Sequence, residues 1–268
     1  MNFAMLESQD LKLFSIDFWY EKFKNVALKA ILIEIPPVLL QKLQSDESDV
    51  NIEEICSHEF VDEVKNAINA LDRNVFVKNN WHAPMDAKMF SFGNQLKVTN
   101  LDDLSLFLSA SNIISEDFST QSNIPFYIAL KPWKSIHPAS EFRCIVINKV
   151  LRGITPRDWP TYYAHFKDEG PLIIETLTNF YKENIADVFP KRHYTFDVII
   201  SFPDQPCIID FGPLNNKTNL YAFSWKEISP LFDKEVPDEV APIFRYLDSD
   251  IGIMTRTDAI YKFANAFT

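Results

Sequence analysis

The clearest alternation of apolar and polar residues lies between residues 194 and 216, in two apolar runs separated by a turn. The first run predicts a β-strand whose apolar side chains share one face: Tyr194, Phe196, Val198 and Ile200. Residues 203–206, Pro-Asp-Gln-Pro, favour a turn because proline restricts φ and lacks an N–H donor, and Asp is a common turn residue. A second apolar run, Cys207 to Phe211, follows at once. The stretch therefore predicts a β-hairpin.

Two acids, Asp197 and Asp210, interrupt this hairpin. They lie seven residues before and six residues after Asp204, so we expect them nearly opposite one another, with Asp197 pointing away from the aromatic face. Two ionised carboxylates about 5 Å apart repel by roughly 3 kcal/mol at an effective dielectric constant of 20. Such a pair persists on a wet face, with one acid protonated, or with a cation such as Mg²⁺ between the acids. Two solvated acids on an exposed hairpin face are the simpler alternative.

Hydrophobic periodicity predicts further helices and strands along the chain. We expect helices at residues 17–24, 38–43, 58–71, 101–108 and 172–185. We expect strands at residues 28–35, 74–79, 124–131, 141–147 and 150–155. The last two strands form a hairpin through Asn148-Lys149, and the acidic residues 45–54 are expected to form a solvated loop.

Four cations lie on these strands or at their ends: Lys78, Lys131, Arg143 and Arg157. Taken singly, each lysine has a simpler interpretation as a solvated side chain. Arg143 likewise has a simpler interpretation as the partner of Glu141 on its own strand. Taken together with Asp197 and Asp210, they make up the set that a metal–nucleoside triphosphate requires. Cations neutralise phosphate oxygens, and acids hold the metal ion that bridges them.

Composition narrows the class of protein. The chain of 268 residues, 47% of them hydrophobic, can bury the core of one large domain or of two lobes. Only 5 glycines argue against a glycine-rich phosphate loop, and a net charge of −11 argues against binding to nucleic acid or an anionic membrane. Three distant cysteines favour a reducing compartment over a disulfide or zinc framework. No N-terminal signal segment and no apolar run of membrane-spanning length occur, so we expect a monomeric cytoplasmic protein.

Two enzyme motifs can be set aside. Asp210-Phe211-Gly212 matches the kinase DFG motif, but the glycine-rich loop and the HRD motif that kinases also need are absent from the sequence. The GxSxG nucleophile elbow of serine hydrolases is absent as well.

Several blocks of the chain resemble, in order, those of the cell division cycle protein 123 family. They are WYEKFKNVALKAILIEIP near the beginning, FVKNNWHAPMDA at residues 76–87, EFRC at 141–144, RGITPRDWPTYY at 152–163, TFDVI at 195–199, IIDFGP at 208–213 and FSWKEI at 223–228. The family resembles ATP-grasp proteins, which implies an α+β fold with two lobes, mostly antiparallel sheets, flanking helices and bound ATP and Mg²⁺. We expect the lobes at residues 1–130 and 131–268. Family members are assembly factors for eukaryotic translation initiation factor 2, and they bind its γ subunit.

The resemblance also implies roles for individual residues. Nucleotide contacts are implied for Lys78, Ala83, Asp86, Lys131, Trp133, Arg143, Arg157, Asp158, Asp197 and Asp210. The last two, Asp197 and Asp210, match the metal ligands of the family. ATP turnover is not implied.

One departure from the family lies in the acidic hairpin. Gly212 replaces the Asn that is the third metal ligand of the family, so water, or Asn215 or Asn216, is expected to take its coordination place. Restoring Asn at this position is expected to tighten binding of Mg²⁺–ATP, provided that the backbone there does not need positive φ. Two alternatives stay open: an ATP-grasp ligase or kinase that phosphorylates a carboxylate or hydroxyl group, and a binding protein that has lost the nucleotide.

Overall fold

The computed structural model describes residues 8–45, 50–91, 93, 95–119, 124–201, 205–233 and 240–249, and its contacts divide the chain into two units. The N-terminal unit holds residues 8–24 and Leu28–Ser135. The C-terminal unit holds Asn25–Ala27 and the described residues from Ile136 onward. Each unit combines helices with a mostly antiparallel sheet, so the expected α+β fold class is confirmed.

The N-terminal unit is a three-stranded sheet with helices. Its helices are α1 (Ser8–Phe14), α2 (Ile16–Phe23), α3 (Pro37–Leu43), α4 (Ile52–Ile55), α5 (His58–Ala70), α6 (Leu101–Ser109) and α7 (Asn112–Phe118). Its strands are β1 (Ile31–Glu34), β2 (Val75–Lys78) and β3 (Tyr127–Pro132), in the antiparallel order β1-β3-β2.

The core of this unit lies on one face of that sheet. Alternation along the strands buries Ile33, Val75, Val77, Ile128 and Leu130 together. Helix α5 packs its apolar stripe into the same cluster, and its N-cap Ser57 accepts a hydrogen bond from the backbone N–H of Phe60. The opposite face of the sheet is therefore separate from this core.

The C-terminal unit is a five-stranded sheet with a long helix. Its elements are β4 (Glu141–Ile147), β5 (Val150–Pro156), α8 (Phe166–Asn184), β6 (Tyr194–Ile199), β7 (Cys207–Pro213), α9 (Trp225–Ile228) and β8 (Ile243–Phe244). The strand order is β7-β6-β4-β5-β8; the β5–β8 pair is parallel, and the other three strand pairs are antiparallel in the described residues.

Both predicted hairpins of this unit are confirmed. Strands β4 and β5 join at Asn148 and Lys149, which both adopt positive φ, as a two-residue turn of the I′ type requires. Strands β6 and β7 pair antiparallel, although residues 202–204 of their predicted turn lie outside the described residues. The aromatic face of β6 is also confirmed, because Tyr194 and Phe196 pack with Phe211 of β7.

Two predictions about secondary structure were wrong. Helix α8 begins at Phe166 rather than at residue 172. Gly170 and Pro171 disfavour a helix before residue 172, but Phe166 is fully buried against Phe142 and anchors the first turns of the helix. The acidic stretch is not wholly a solvated loop, since Val50 and Ile52 are buried and α4 begins at Ile52. Residues 46–49 lie outside the described part of the chain.

Candidate functional site

The two lysines predicted from strand ends lie on one face of the N-terminal sheet. Phe76 pairs with Lys131 and Lys78 pairs with Ala129, so the alternation of β2 and β3 places both lysines on the face opposite the core. Lys78 is only 4% exposed and Lys131 only 3%. The solvated alternative is therefore wrong for both. The Lys131 ammonium lies 5.8 Å from the centre of the Trp19 ring, at the outer limit of a cation–π contact.

Two buried asparagines shape the loop that follows Lys78. The Asn79 side chain accepts hydrogen bonds from the backbone N–H groups of Trp81 and His82 at 2.9 and 2.8 Å. Asn80 accepts from the N–H of Tyr127 at 2.8 Å and donates to the carbonyl of Pro125 at 3.0 Å, which ties the loop to β3. Sequence reasoning treated these residues only as part of a polar loop. Consecutive Asn residues after a strand were the available signal, since Asn side chains bond nearby backbone groups.

The other candidates of the N-terminal unit occupy structural positions. Ala83 packs against the core cluster, and the backbone N–H of Trp133 donates to the carbonyl of Asn74 at 2.8 Å. The Asp86 carboxylate accepts hydrogen bonds from the Ser111 hydroxyl at 2.5 Å and from the backbone N–H of Ile113 at 3.2 Å. Partial burial acts to raise the pKa of Asp86, but these hydrogen bonds outweigh it and lower the pKa below its ordinary value. The Asp86 carboxylate therefore stabilises the first turn of α7.

Replacing Asp86 with Asn is expected to lower the free energy of unfolding by about 1 kcal/mol at pH 7, because a charged acceptor is lost. The lowered pKa means that this stabilisation is present above the unfolded-state pKa and is lost as the pH falls through the folded-state pKa. Urea unfolding of both proteins measures it: the difference should shrink between about pH 5 and pH 3. A difference that stays constant over this range would contradict the assignment.

The C-terminal sheet carries a row of polar residues across four strands. Asp210 of β7 pairs with Asp197 of β6, Asp197 pairs with Arg143 of β4, and Arg143 pairs with Thr155 of β5. The two acids are thus opposite one another, as turn counting predicted. They share their row with an arginine from a strand more than 50 residues earlier in the sequence.

Asp197 is buried against two guanidinium groups. Arg143 Nε and Nη2 each donate to one Asp197 oxygen at 2.8 Å, and Arg143 Nη1 donates to the carbonyl of Asn219 at 2.8 Å. Arg157 Nε lies 3.5 Å from Asp197 Oδ2, while its Nη1 donates to Glu141 at 3.2 Å. The expected Arg143–Glu141 pair is therefore wrong: Arg143 binds Asp197, and Glu141 binds Arg157.

These contacts show in part how the two facing carboxylates are accommodated. The Asp197 side chain is 7% exposed, so two solvated acids on a wet face are excluded. A cation does lie beside Asp197, and it is the Arg143 guanidinium. Burial raises the pKa of Glu141 above its ordinary value; Arg157 opposes that shift and Asp197 adds to it. Carboxylates and guanidinium groups alternate closely around Asp197.

The donor set suits a hard cation only in part. Asp197 and Asp210 supply carboxylate oxygens from facing strand positions, which is the ligand type that Mg²⁺ prefers. Among the described residues, no three His, Cys, Asp or Glu side chains form a cluster that could hold a metal ion. Two protein carboxylates fit Mg²⁺ when water and phosphate oxygens complete its shell, since Mg²⁺ usually keeps several waters.

Asp158 and Gly212 complete the candidates of this unit. Asp158 accepts a hydrogen bond of 2.5 Å from the Tyr163 hydroxyl. Gly212 lies in strand β7 and is not among the described residues with positive φ, so the condition on restoring Asn at this position is met. A Cβ atom at Gly212 would lie 3.0 Å from the Thr195 hydroxyl oxygen.

Comparisons with known proteins agree with this architecture. A family model described as D123 matches residues 48–265. The chain is 27% identical over 294 residues to the translation initiation factor eIF2 assembly protein of Xenopus tropicalis, covering 93% of this chain and 88% of that protein. None of the helices in the described residues is long and apolar enough to cross a membrane.

Two solved structures share the fold. Cdc123 from Schizosaccharomyces pombe superposes with a TM-score of 0.79 at 27% identity, covering 91% of this chain and 98% of that one. N5-carboxyaminoimidazole synthase from Aspergillus clavatus, in complex with ADP and its ribonucleotide ligand, reaches a TM-score of 0.50 at 11% identity, over 90% of this chain and 61% of that one. The second likeness concerns the fold alone. The ATP-grasp-like fold expected from the sequence is therefore confirmed.

Proposed function

Because the chain belongs to the D123 family, we propose that it binds ATP with Mg²⁺ and acts in the cytoplasm as a monomeric assembly chaperone for translation initiation factor 2. The observation that carries the nucleotide part is the polar row of the C-terminal sheet. Asp197 and Asp210 face each other there, beside Arg143. Facing acids next to arginines suit a metal ion and the phosphate groups that it neutralises.

The buried lysines support the same proposal. A buried ammonium group interacts with a phosphate more strongly than an exposed one, because solvent screens it less. Lys78 and Lys131 share one buried sheet face, so a polyphosphate chain is a suitable anion for both. Mg²⁺, when bound, would neutralise phosphate oxygens, and Asp197 and Asp210 would hold it. ATP turnover is not part of the proposal.

The partner is proposed to be the γ subunit of translation initiation factor 2. The family relationship supports this choice, and a net charge of −11 disfavours nucleic acid as a partner. We expect the purified chain to capture the purified γ subunit. We expect no measurable binding to single-stranded RNA at physiological salt.

Pull-down with the immobilised chain and fluorescence anisotropy with a labelled RNA measure the two expectations. The isolated α and β subunits of the factor serve as matched protein controls. Salt-sensitive RNA binding without capture of the γ subunit would contradict the proposed function. Capture of the γ subunit by a chain that binds no nucleotide would retain the chaperone role and remove ATP from it.

A further inference from the structure

Thr195 occupies the space that a side chain at Gly212 would use. The two residues are directly paired across β6 and β7, two positions from the Asp197–Asp210 pair, with the Phe196–Phe211 pair between them. The Thr195 hydroxyl donates to the carbonyl of Gly212 at 3.2 Å. Among the described residues other than Gly212 and its two chain neighbours, the Thr195 hydroxyl oxygen is the only atom within 4 Å of a Cβ built on Gly212.

The hydroxyl lies on the face that carries the acids. Thr195 and Asp197 are two residues apart on β6, and Gly212 and Asp210 are two apart on β7, so all four share one face. The register shift of this hairpin begins only beyond Asp197 and does not disturb the arrangement. The Thr195 hydroxyl is therefore the group nearest to where a Gly212 side chain would begin on this face.

A threonine hydroxyl can donate one hydrogen bond and accept two. Because the Thr195 hydroxyl proton is donated to the Gly212 carbonyl, the hydroxyl oxygen acts toward any further group as an acceptor. Thr195 is 1% exposed, so its position is set by packing as well as by this hydrogen bond. A fixed acceptor on the sheet face that carries two carboxylates is suited to orient a water of a Mg²⁺ hydration shell.

We propose that Thr195 is a positioning residue, whose hydroxyl orients the water that completes the Mg²⁺ shell where Gly212 supplies no side-chain oxygen. The inference rests on the proposed binding of ATP with Mg²⁺. A role for Thr195 would explain how β7, with glycine at residue 212, still has an oxygen atom on the face that carries the two acids. It also gives the Thr195–Gly212 pair a role beyond strand pairing.

Calorimetric titration with ATP, in Mg²⁺ and in chelator, tests this assignment with three variants. Thr195→Val removes the hydroxyl at nearly constant volume, and Thr195→Ser retains a hydroxyl. Thr178→Val is the matched control, because the buried Thr178 hydroxyl of α8 has no hydrogen-bond partner among the described residues. Loss of a group that orients a ligand of a metal typically weakens binding by about 10- to 100-fold.

We expect Thr195→Val to weaken Mg²⁺–ATP binding by about tenfold and to leave ATP binding in chelator unchanged. Thr195→Ser and Thr178→Val should bind Mg²⁺–ATP like the wild type. The double variant Thr195→Ala/Gly212→Asn should also retain Mg²⁺–ATP binding, because the Asn oxygen then has space on the same face.

Three results with the variants would overturn the assignment: Thr195→Val that binds Mg²⁺–ATP as tightly as the wild type, Thr195→Val that loses affinity equally with and without Mg²⁺, or a double variant that is as weak as Thr195→Val. These three results would leave the metal site of the proposed function intact. Wild-type protein whose ATP binding is independent of Mg²⁺ would overturn both this inference and that metal site.

Discussion

Replacing Asp197 with Asn is expected to lower the free energy of unfolding of the nucleotide-free protein by about 3 kcal/mol, whereas Asp210→Asn should change it by less than about 1 kcal/mol. Asp197 accepts two hydrogen bonds from Arg143 and lies 3.5 Å from Arg157. An amide at residue 197 would leave the Arg143 guanidinium without its carboxylate partner, whereas Arg157 keeps Glu141. Removing one partner of a buried ion pair is strongly destabilising for this reason.

Asp210 is in a different environment. It is half-buried on β7, at the end of the strand order, and faces Asp197. Replacing it with Asn relieves repulsion between the two carboxylates, which offsets any hydrogen bond that is lost. Repulsion between the two acids, taken alone, predicts that removal of either acid leaves the empty protein equally stable or more stable. The Arg143 contact reverses that expectation for Asp197.

Urea unfolding of the three proteins without nucleotide measures the difference. Both variants should also lose Mg²⁺-dependent ATP binding, although only Asp197→Asn should unfold at clearly lower urea concentration. Equal stability of the two variants would contradict the buried ion pair. Full Mg²⁺-dependent stabilisation by ATP in both variants would contradict the metal role of the acids.

Replacing Lys78 or Lys131 with Met is expected to weaken ATP binding by more than tenfold, which corresponds to about 1.4 kcal/mol. Both side chains are buried on one face of the N-terminal sheet, and methionine has a similar length without the charge. A buried charge interacts with a phosphate more strongly than an exposed one, because solvent screens it less.

Calorimetric titration with Mg²⁺–ATP measures both losses. Lys134→Met is the matched control, since Lys134 is exposed and follows the same strand, β3, by two residues. Its affinity should equal that of the wild type. Thermal melting identifies any variant that does not fold. Unchanged ATP affinity in both folded lysine variants would remove Lys78 and Lys131 from the site.

The acidic hairpin could be predicted because its determinants are local. Alternation from Tyr194 and the turn residues after Ser201 set the strands, and counting from the turn placed Asp197 opposite Asp210. Glu141 and Arg143 were likewise placed on one face of β4 by a period of two. The predicted and observed bounds of the elements differ most in α8, where the buried Phe166 anchors helical turns that the sequence did not predict.

The partners on the polar face could not be predicted from the sequence. Arg143 meets Asp197 because β4 pairs with β6, which depends on the register between strands that are distant along the chain. Glu141, two residues away, was the nearer candidate for Arg143, but it bonds Arg157. The position of the Thr195 hydroxyl beside Gly212 likewise depends on the register of β6 with β7.

Calorimetric titration of wild-type protein and Asp210→Asn with ATP, each with Mg²⁺ and with chelator, tests the central claim most directly. Asp210→Asn is the appropriate variant because it is expected to remove a metal ligand without removing the counter-charge of Arg143. The account predicts tight binding by the wild type only when Mg²⁺ is present, and no Mg²⁺-dependent binding by the variant. Equal affinities of the two proteins for Mg²⁺–ATP, or wild-type binding that does not depend on Mg²⁺, would contradict it.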